Sequence, residues 1–161
     1  MKMFSLGGWS GSGKTTLIIR LIAYYKKKNM AVGVIKKVAH DCSFQPHGKD
    51  SFRFLQAGAD SVYLSSQKEI ISIRPKQAHE DAWHLIKSDL KDHDFVLLEG
   101  LILDQVPVAE VFDSRRHKSL KFPLKKLSLI ISDKQLQEKV PWFHMDDING
   151  IAEYLEEYAY E

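Results

Sequence analysis

With 161 residues and 44% hydrophobic side chains, the chain is sized for one domain with a core of ordinary size, and two full domains would be cramped in it. A formal net charge of +2 is too mild to argue for nucleic acid as a partner. The single cysteine, Cys42, excludes an internal disulfide and fits a reduced, cytoplasmic protein. No secretory signal is visible and no apolar run nears the roughly 18 residues of a membrane span, so neither export nor membrane insertion is expected.

Met3, Phe4 and Leu6 form a short apolar strand that runs into Gly7-Gly8. Gly8-Trp9-Ser10-Gly11-Ser12-Gly13-Lys14-Thr15 then matches the phosphate-loop pattern at every required position. Glycines let backbone N–H groups turn inward around a polyphosphate, and the following helix presents its positive pole to the same anion. Lys14 reaches the β- and γ-phosphates, Thr15 ligates a magnesium ion, and Thr16 donates to a neighbouring phosphate oxygen. Leu17, Ile18, Leu21, Ile22 and Tyr25 recur at helical spacing after the loop, which supplies the strand–loop–helix context the motif requires.

Lys26-Lys27-Lys28-Asn29 suits the negative pole of that helix, and residues 31–38 read as a second strand. Residues 38–50 are a polar loop with Pro46 and Gly48, followed by a helix over 50–57 that Gly58 stops. Residues 62–64 and 70–73 are short strands expected to pair, and 77–92 a long helix with Ala78, Ala82, Leu85, Ile86 and Leu90 on one face. Residues 95–98 are an unbroken apolar strand ending at Glu99-Gly100, and 106–112 and 127–131 supply two more strands. Ile148, Ile151, Ala152, Leu155 and Ala159 mark a closing helix capped by Asp146 or Asp147. This alternation predicts an α/β fold of the P-loop NTPase type, with a mainly parallel sheet, helices on both faces, and residues 1–161 as one nucleotide-binding domain.

Ligands of parallel sheets collect at the carboxyl ends of the strands, where the phosphate loop, the 38–50 loop and Glu99 converge. Glu99 is the expected magnesium acid. Lys36, Lys37, His40, Asp41, Lys49 and Asp50 offer further groups to a polyphosphate or its metal, with Asp41 placed to orient or deprotonate an attacking water. His40, Cys42 and His47 lack the paired spacing of a zinc site, so the expected metal is magnesium held with the nucleotide. Residues 115–126 hold six Lys or Arg and no acid, whereas 146–161 hold six acids and no Lys or Arg; both read as solvated faces. If the basic segment instead closes over the phosphates, Arg115 and Arg116 would serve a small-molecule kinase that transfers the γ-phosphate.

Taken together, "GWSGSGKTTL", "HGKDSFRFLQAGA" and "LLEG" followed by "PVAEV" resemble the MobB-type molybdopterin-guanine dinucleotide biosynthesis adapter proteins, and the resemblance extends to the final "WFHMDDINGIAEYL". It implies a GTP-binding homodimer with weak GTPase activity that assists the enzyme attaching GMP to molybdopterin. Gly11, Gly13, Lys14, Thr15 and Glu99 carry the nucleotide site over, while Gly48, Lys49, Asp50, Ser51 and Arg53 form the signature segment. Lys49 and Arg53 offer anion contacts beyond one triphosphate, suited to molybdopterin or to an acidic surface of the guanylyltransferase. No Asn-Lys-x-Asp sequence is present, but Asp133 follows an apolar strand where a carboxylate can accept guanine N–H groups. GTP is preferred over ATP chiefly through the resemblance.

Overall fold

Phe95-Val96-Leu97-Leu98 shows no polar alternation because both faces of its strand are covered: every residue of β5 (Phe95–Glu99) is buried. The computed structural model describes residues 1–38, 49–74, 80–136 and 139–161. These divide into two compact units, Met1–Lys37 with Ile86–Glu161, and Val38–Leu85.

The larger unit is a six-stranded sheet. It contains β1 (Lys2–Gly7), β2 (Val32–Lys36), β5, β6 (Val108–Phe112), β7 (Leu129–Ser132) and β8 (Trp142–His144), in the order β2-β5-β1-β6-β7-β8. All its pairings are parallel, with Lys2 opposite Phe95 and Leu6 opposite Glu99, so β1 and β5 end together. Where β6 has not yet begun alongside β1, Tyr160 takes its place and exchanges both backbone hydrogen bonds with Met3.

Side chains alternate between the faces along each strand. Phe4, Leu6, Phe95, Leu97, Ala109, Val111, Leu129 and Ile131 share one face, closed by Leu17, Ile18, Leu21 and Tyr25 of α1 (Lys14–Lys27) and by Ile151, Ala152 and Leu155 of α4 (Ile148–Tyr158). Burying this set is the main stabilising term, at about 25 cal/mol per Å² of apolar surface. On the other face Val108 and Ile130 pack with Leu127, Leu120, Phe122 and Trp142. Gly33 of β2 lies under Leu90 there, leaving a Cβ only 3.0 Å from that side chain.

The smaller unit holds α2 (Lys49–Gln56), which Gly58 follows at φ 101°, and an antiparallel hairpin of β3 (Val62–Ser65) and β4 (Ile70–Ile73). The Ser66 hydroxyl closes the hairpin turn by accepting from the N–H groups of Lys68 and Glu69.

Several boundaries differ from the sequence expectation for identifiable reasons. The helix expected over 77–92 is α3 (Ala82–Asp89), because the Asp81 carboxylate accepts from the N–H of His84 and caps the helix there; residues 77–79 of that expectation lie outside the described residues. β6 starts at Val108 because Pro107 has no N–H to donate, although its carbonyl accepts from Ser5. Asp147 rather than Asp146 caps α4, through Gly150. β8 was not expected at all. No described helix is long and apolar enough to cross a membrane.

Candidate phosphate site

The phosphate loop leaves β1 between β5 and β6, where its shape depends on glycine. Gly8 has φ 131°, and a Cβ built on it would fall 2.3 Å from the carbonyl oxygen of Val111, so the loop is seated directly on β6. Gly13 opens α1 in the left-handed conformation with no side-chain cap and no acid in the first turn. The first-turn N–H groups and the positive pole of the helix are therefore left for an outside acceptor.

Lys14 fills the loop's mouth, its ammonium donating to the carbonyls of Gly8 at 3.2 Å and Trp9 at 2.6 Å, and to the Ser12 hydroxyl at 3.5 Å. Burial pushes its pKa down, and the like charge of Lys121 pushes it the same way. A bound anion would relieve both effects. Beside it the Thr15 hydroxyl donates to Glu99 Oε1 at 2.8 Å, and the Lys36 ammonium stands 3.3 Å from the same oxygen. Glu99 is buried, 7% exposed. This hydroxyl and carboxylate are hard oxygen donors of the kind magnesium takes, and the adjoining lysine shows that a cation is already stabilised there. Among the described residues no cluster of three or more His, Cys, Asp or Glu side chains could hold a metal on its own.

All six Lys and Arg of the basic segment are exposed, as a solvated face requires, and the segment also packs against the phosphate loop. The Trp9 indole donates to the carbonyl of Ser119 at 2.9 Å and stacks on His117, while the Lys121 ammonium lies 5.7 Å from the centre of the Trp9 ring. Phe122 packs on Gly7, where a Cβ would be 2.5 Å from its ring. Glu110 of β6 is fully buried and accepts from the backbone N–H groups of both Lys121 and Phe122. Burial pushes its pKa up despite those bonds. Arg115 and Arg116 turn back to Asp113, at 2.9 and 3.5 Å, and the Arg115 hydrogen bonds hold the Asp113 carboxyl below its ordinary range.

Asp133 lies beside this group. Its two oxygens accept from the Ser114 N–H at 2.7 Å and hydroxyl at 2.8 Å; burial opposes its ionisation, but those bonds prevail and lower its pKa. A cavity of about 260 Å³ opens from the Gly11–Gly13 side of the loop and is lined further by Thr16, Arg20, Asp113 and Met145.

The expected residues Gly8, Ser10, Gly11, Ser12, Gly13, Lys14, Thr15, Thr16 and Glu99 are thus brought together, with Asp133 at the ends of β6 and β7. His40, Asp41, Cys42 and His47 lie outside the described residues. Lys49, Asp50 and Arg53 belong to α2 of the smaller unit. The sequence reading did not single out Glu110, Asp113 or Lys121. Glu110 carried a usable signal, since an acid in the middle of the apolar "PVAEVF" needs a buried partner.

A family model described as MobB, molybdopterin guanine dinucleotide synthesis protein B, matches residues 3–133. The molybdopterin-guanine dinucleotide biosynthesis adapter protein of Escherichia coli (strain K12) is 27% identical over 161 residues, spanning 97% of this chain and 92% of that protein. The protein of the same name from Haemophilus influenzae is 34% identical over 107 residues, spanning 65% and 60%. Among solved structures, Bacillus subtilis MobB superposes with a TM-score of 0.75 at 21% identity over 99% of both chains. A crystal structure of molybdopterin-guanine biosynthesis protein B gives 0.70 at 24% identity, covering 96% of this chain and 98% of that one. These structural likenesses bear on the fold: the parallel sheet with its helices is common to the group.

Proposed function

Because the chain belongs to the MobB family, we propose that it is a GTP-binding adapter with weak GTPase activity that assists the guanylyltransferase in the formation of molybdopterin guanine dinucleotide. The observation that carries the nucleotide half of this reading is the Thr15–Glu99 pair at 2.8 Å beside the open first turn of α1. Thr15 and Glu99 would hold magnesium, which when bound neutralises phosphate charge. Lys14 would exchange its loop carbonyls for phosphate oxygens, and Thr16 would donate to the phosphate nearer the nucleoside. Each Asp133 oxygen retains lone-pair capacity beyond its bond from Ser114, which suits guanine N–H donors. Asp41 is the proposed water-orienting acid.

Lys49 and Arg53 are the proposed contacts to molybdopterin or to the transferase, and the working form is a cytoplasmic homodimer. Calorimetric titration with GTP and with ATP, each with magnesium, tests the first half. Binding of neither nucleotide would remove it. A pull-down with the cognate guanylyltransferase tests the second, with Lys49→Ala and Arg53→Ala expected to weaken assembly and spare GTP affinity. The basic segment against the loop keeps a kinase as the second reading: rapid turnover dependent on a small acceptor would favour it. Sedimentation across micromolar concentrations, with and without nucleotide, tests the dimer.

A further inference from the structure

The Lys14 and Lys121 ammonium groups converge on one carbonyl, that of Gly8, at 3.2 and 3.4 Å. Two like charges on one neutral acceptor are a poor arrangement unless an anion joins them. Lys14 belongs to the motif, but Lys121 arrives from far along the chain and is held in place by its main chain. Glu110, with no exposed surface, takes the N–H of Lys121 and of its neighbour, and Phe122 is wedged on Gly7. Only the side chain of Lys121 is left to move. Among the described residues no carboxylate stands within ion-pair distance of its ammonium; its company is the Gly8 carbonyl and the rings of Trp9 and Phe122. Arg115 and Arg116 differ in this respect, since both are paired with Asp113.

The direction of a bound nucleotide follows from the cavity. It opens on the Gly11–Gly13 and Thr16 side of the loop and does not include Gly8. A nucleoside in that cavity runs its phosphate chain along the loop toward Gly8, so the group farthest from the sugar ends between Lys14 and Lys121. Resting on the nucleotide reading above, we propose that Lys121 is a ligand for the terminal phosphate of a nucleoside triphosphate, so that the basic segment distinguishes triphosphate from diphosphate at this site.

The test is calorimetric titration of wild-type protein, Lys14→Ala, Lys121→Ala and Lys121→Arg with magnesium and either GDP or a non-hydrolysable GTP analogue. Lys121→Ala should lose roughly tenfold to a hundredfold in affinity for the triphosphate, the range of one hydrogen bond to a charged group, and less than about threefold for GDP. Lys121→Arg should keep most of the preference. Lys121 is exposed, so thermal melting of both variants should match wild type. Equal losses for both nucleotides, or none for either, would overturn the assignment while wild-type binding that Lys14→Ala abolishes left the phosphate site standing. Wild-type protein that binds neither nucleotide overturns both together.

Discussion

Lys36 and Lys121 reach the phosphate loop from opposite sides of β1, the first past β5 and the second past β6, and they arrive in different company. Lys36 stands 3.3 Å from the buried carboxylate of Glu99, which also receives the Thr15 hydroxyl. Lys121 meets a carbonyl and two aromatic rings, because the nearby acid, Glu110, is already committed to backbone N–H groups. A matched cation can be exchanged for another cation at little electrostatic cost. An unmatched pair of ammonium groups instead favours the arrival of an anion. The two sides are therefore suited to different parts of one ligand, a metal on the Glu99 side and phosphate oxygens on the Glu110 side.

Lys14 is common to both sides, and its loss should have the largest effect. Lys14→Ala is expected to lower nucleotide affinity by about a hundredfold or more, near 3 kcal/mol, with the melting temperature almost unchanged because the ammonium bonds only to the loop. Undiminished affinity by calorimetry would remove the phosphate-loop assignment.

Gly8→Ala sharpens the comparison by moving the loop off its seat on β6. The Cβ would meet a backbone oxygen at 2.3 Å in a conformation with φ 131°, so a loss of about 2–4 kcal/mol is expected in urea unfolding. A stable variant that still binds nucleotide normally would mean the loop has another resting place.

Glu99→Gln addresses the matched side alone. It keeps the shape, removes the charge, and should cut the magnesium-dependent part of GTP affinity by roughly tenfold while binding in EDTA changes little. If the magnesium effect persists in full, another acid holds the ion.

Glu110→Gln acts on stability and not directly on the ligand, and its signature lies in pH. The folded carboxyl has a pKa above the ordinary 4.5, so the native state binds the proton more readily than the unfolded chain. The stability this contributes is fully present below about 4.5 and is lost as pH rises through the folded value. Glutamine should flatten that slope, and because each Glu110 oxygen accepts from a different backbone N–H, the amide leaves one buried N–H without an acceptor at a cost of about 1–3 kcal/mol at neutral pH. Parallel stability curves for the two proteins would show that Glu110 titrates as it does in the unfolded chain.

The matched side was legible in the sequence and the unmatched side was not, for a physical reason. Motif spacing fixes the loop because its backbone work is done by neighbouring residues, and Glu99 is marked by the apolar run that carries it to a strand end. The contacts of Lys121, Trp9 and Glu110 join positions that no motif spacing links, and charge alone marks the 115–126 side chains as exposed without showing their contacts to the loop. β8 was missed because Trp142-Phe143-His144 is short, only partly buried and at the sheet's edge, so neither alternation nor a full apolar run announces it. Asp81 starts α3 by capping its N-terminus, a role that apolar spacing alone does not mark.

The strand order also bears on how the molecule comes to exist. β1 is made first, yet its neighbours are β5, with Lys2 opposite Phe95, and β6, with Ser5 opposite Val108. Pairings so distant along the chain cost loop-closure entropy before any contact offsets it, and parallel sheets of this kind fold slowly. Met3, Phe4 and Leu6 must therefore wait, with their apolar surface bare, until β5 and β6 have been made. The phosphate loop, whose seat is the Val111 carbonyl, takes its shape only after β6 has docked. A nucleotide bound as proposed would meet a finished sheet: it would slow unfolding but arrive too late to guide folding.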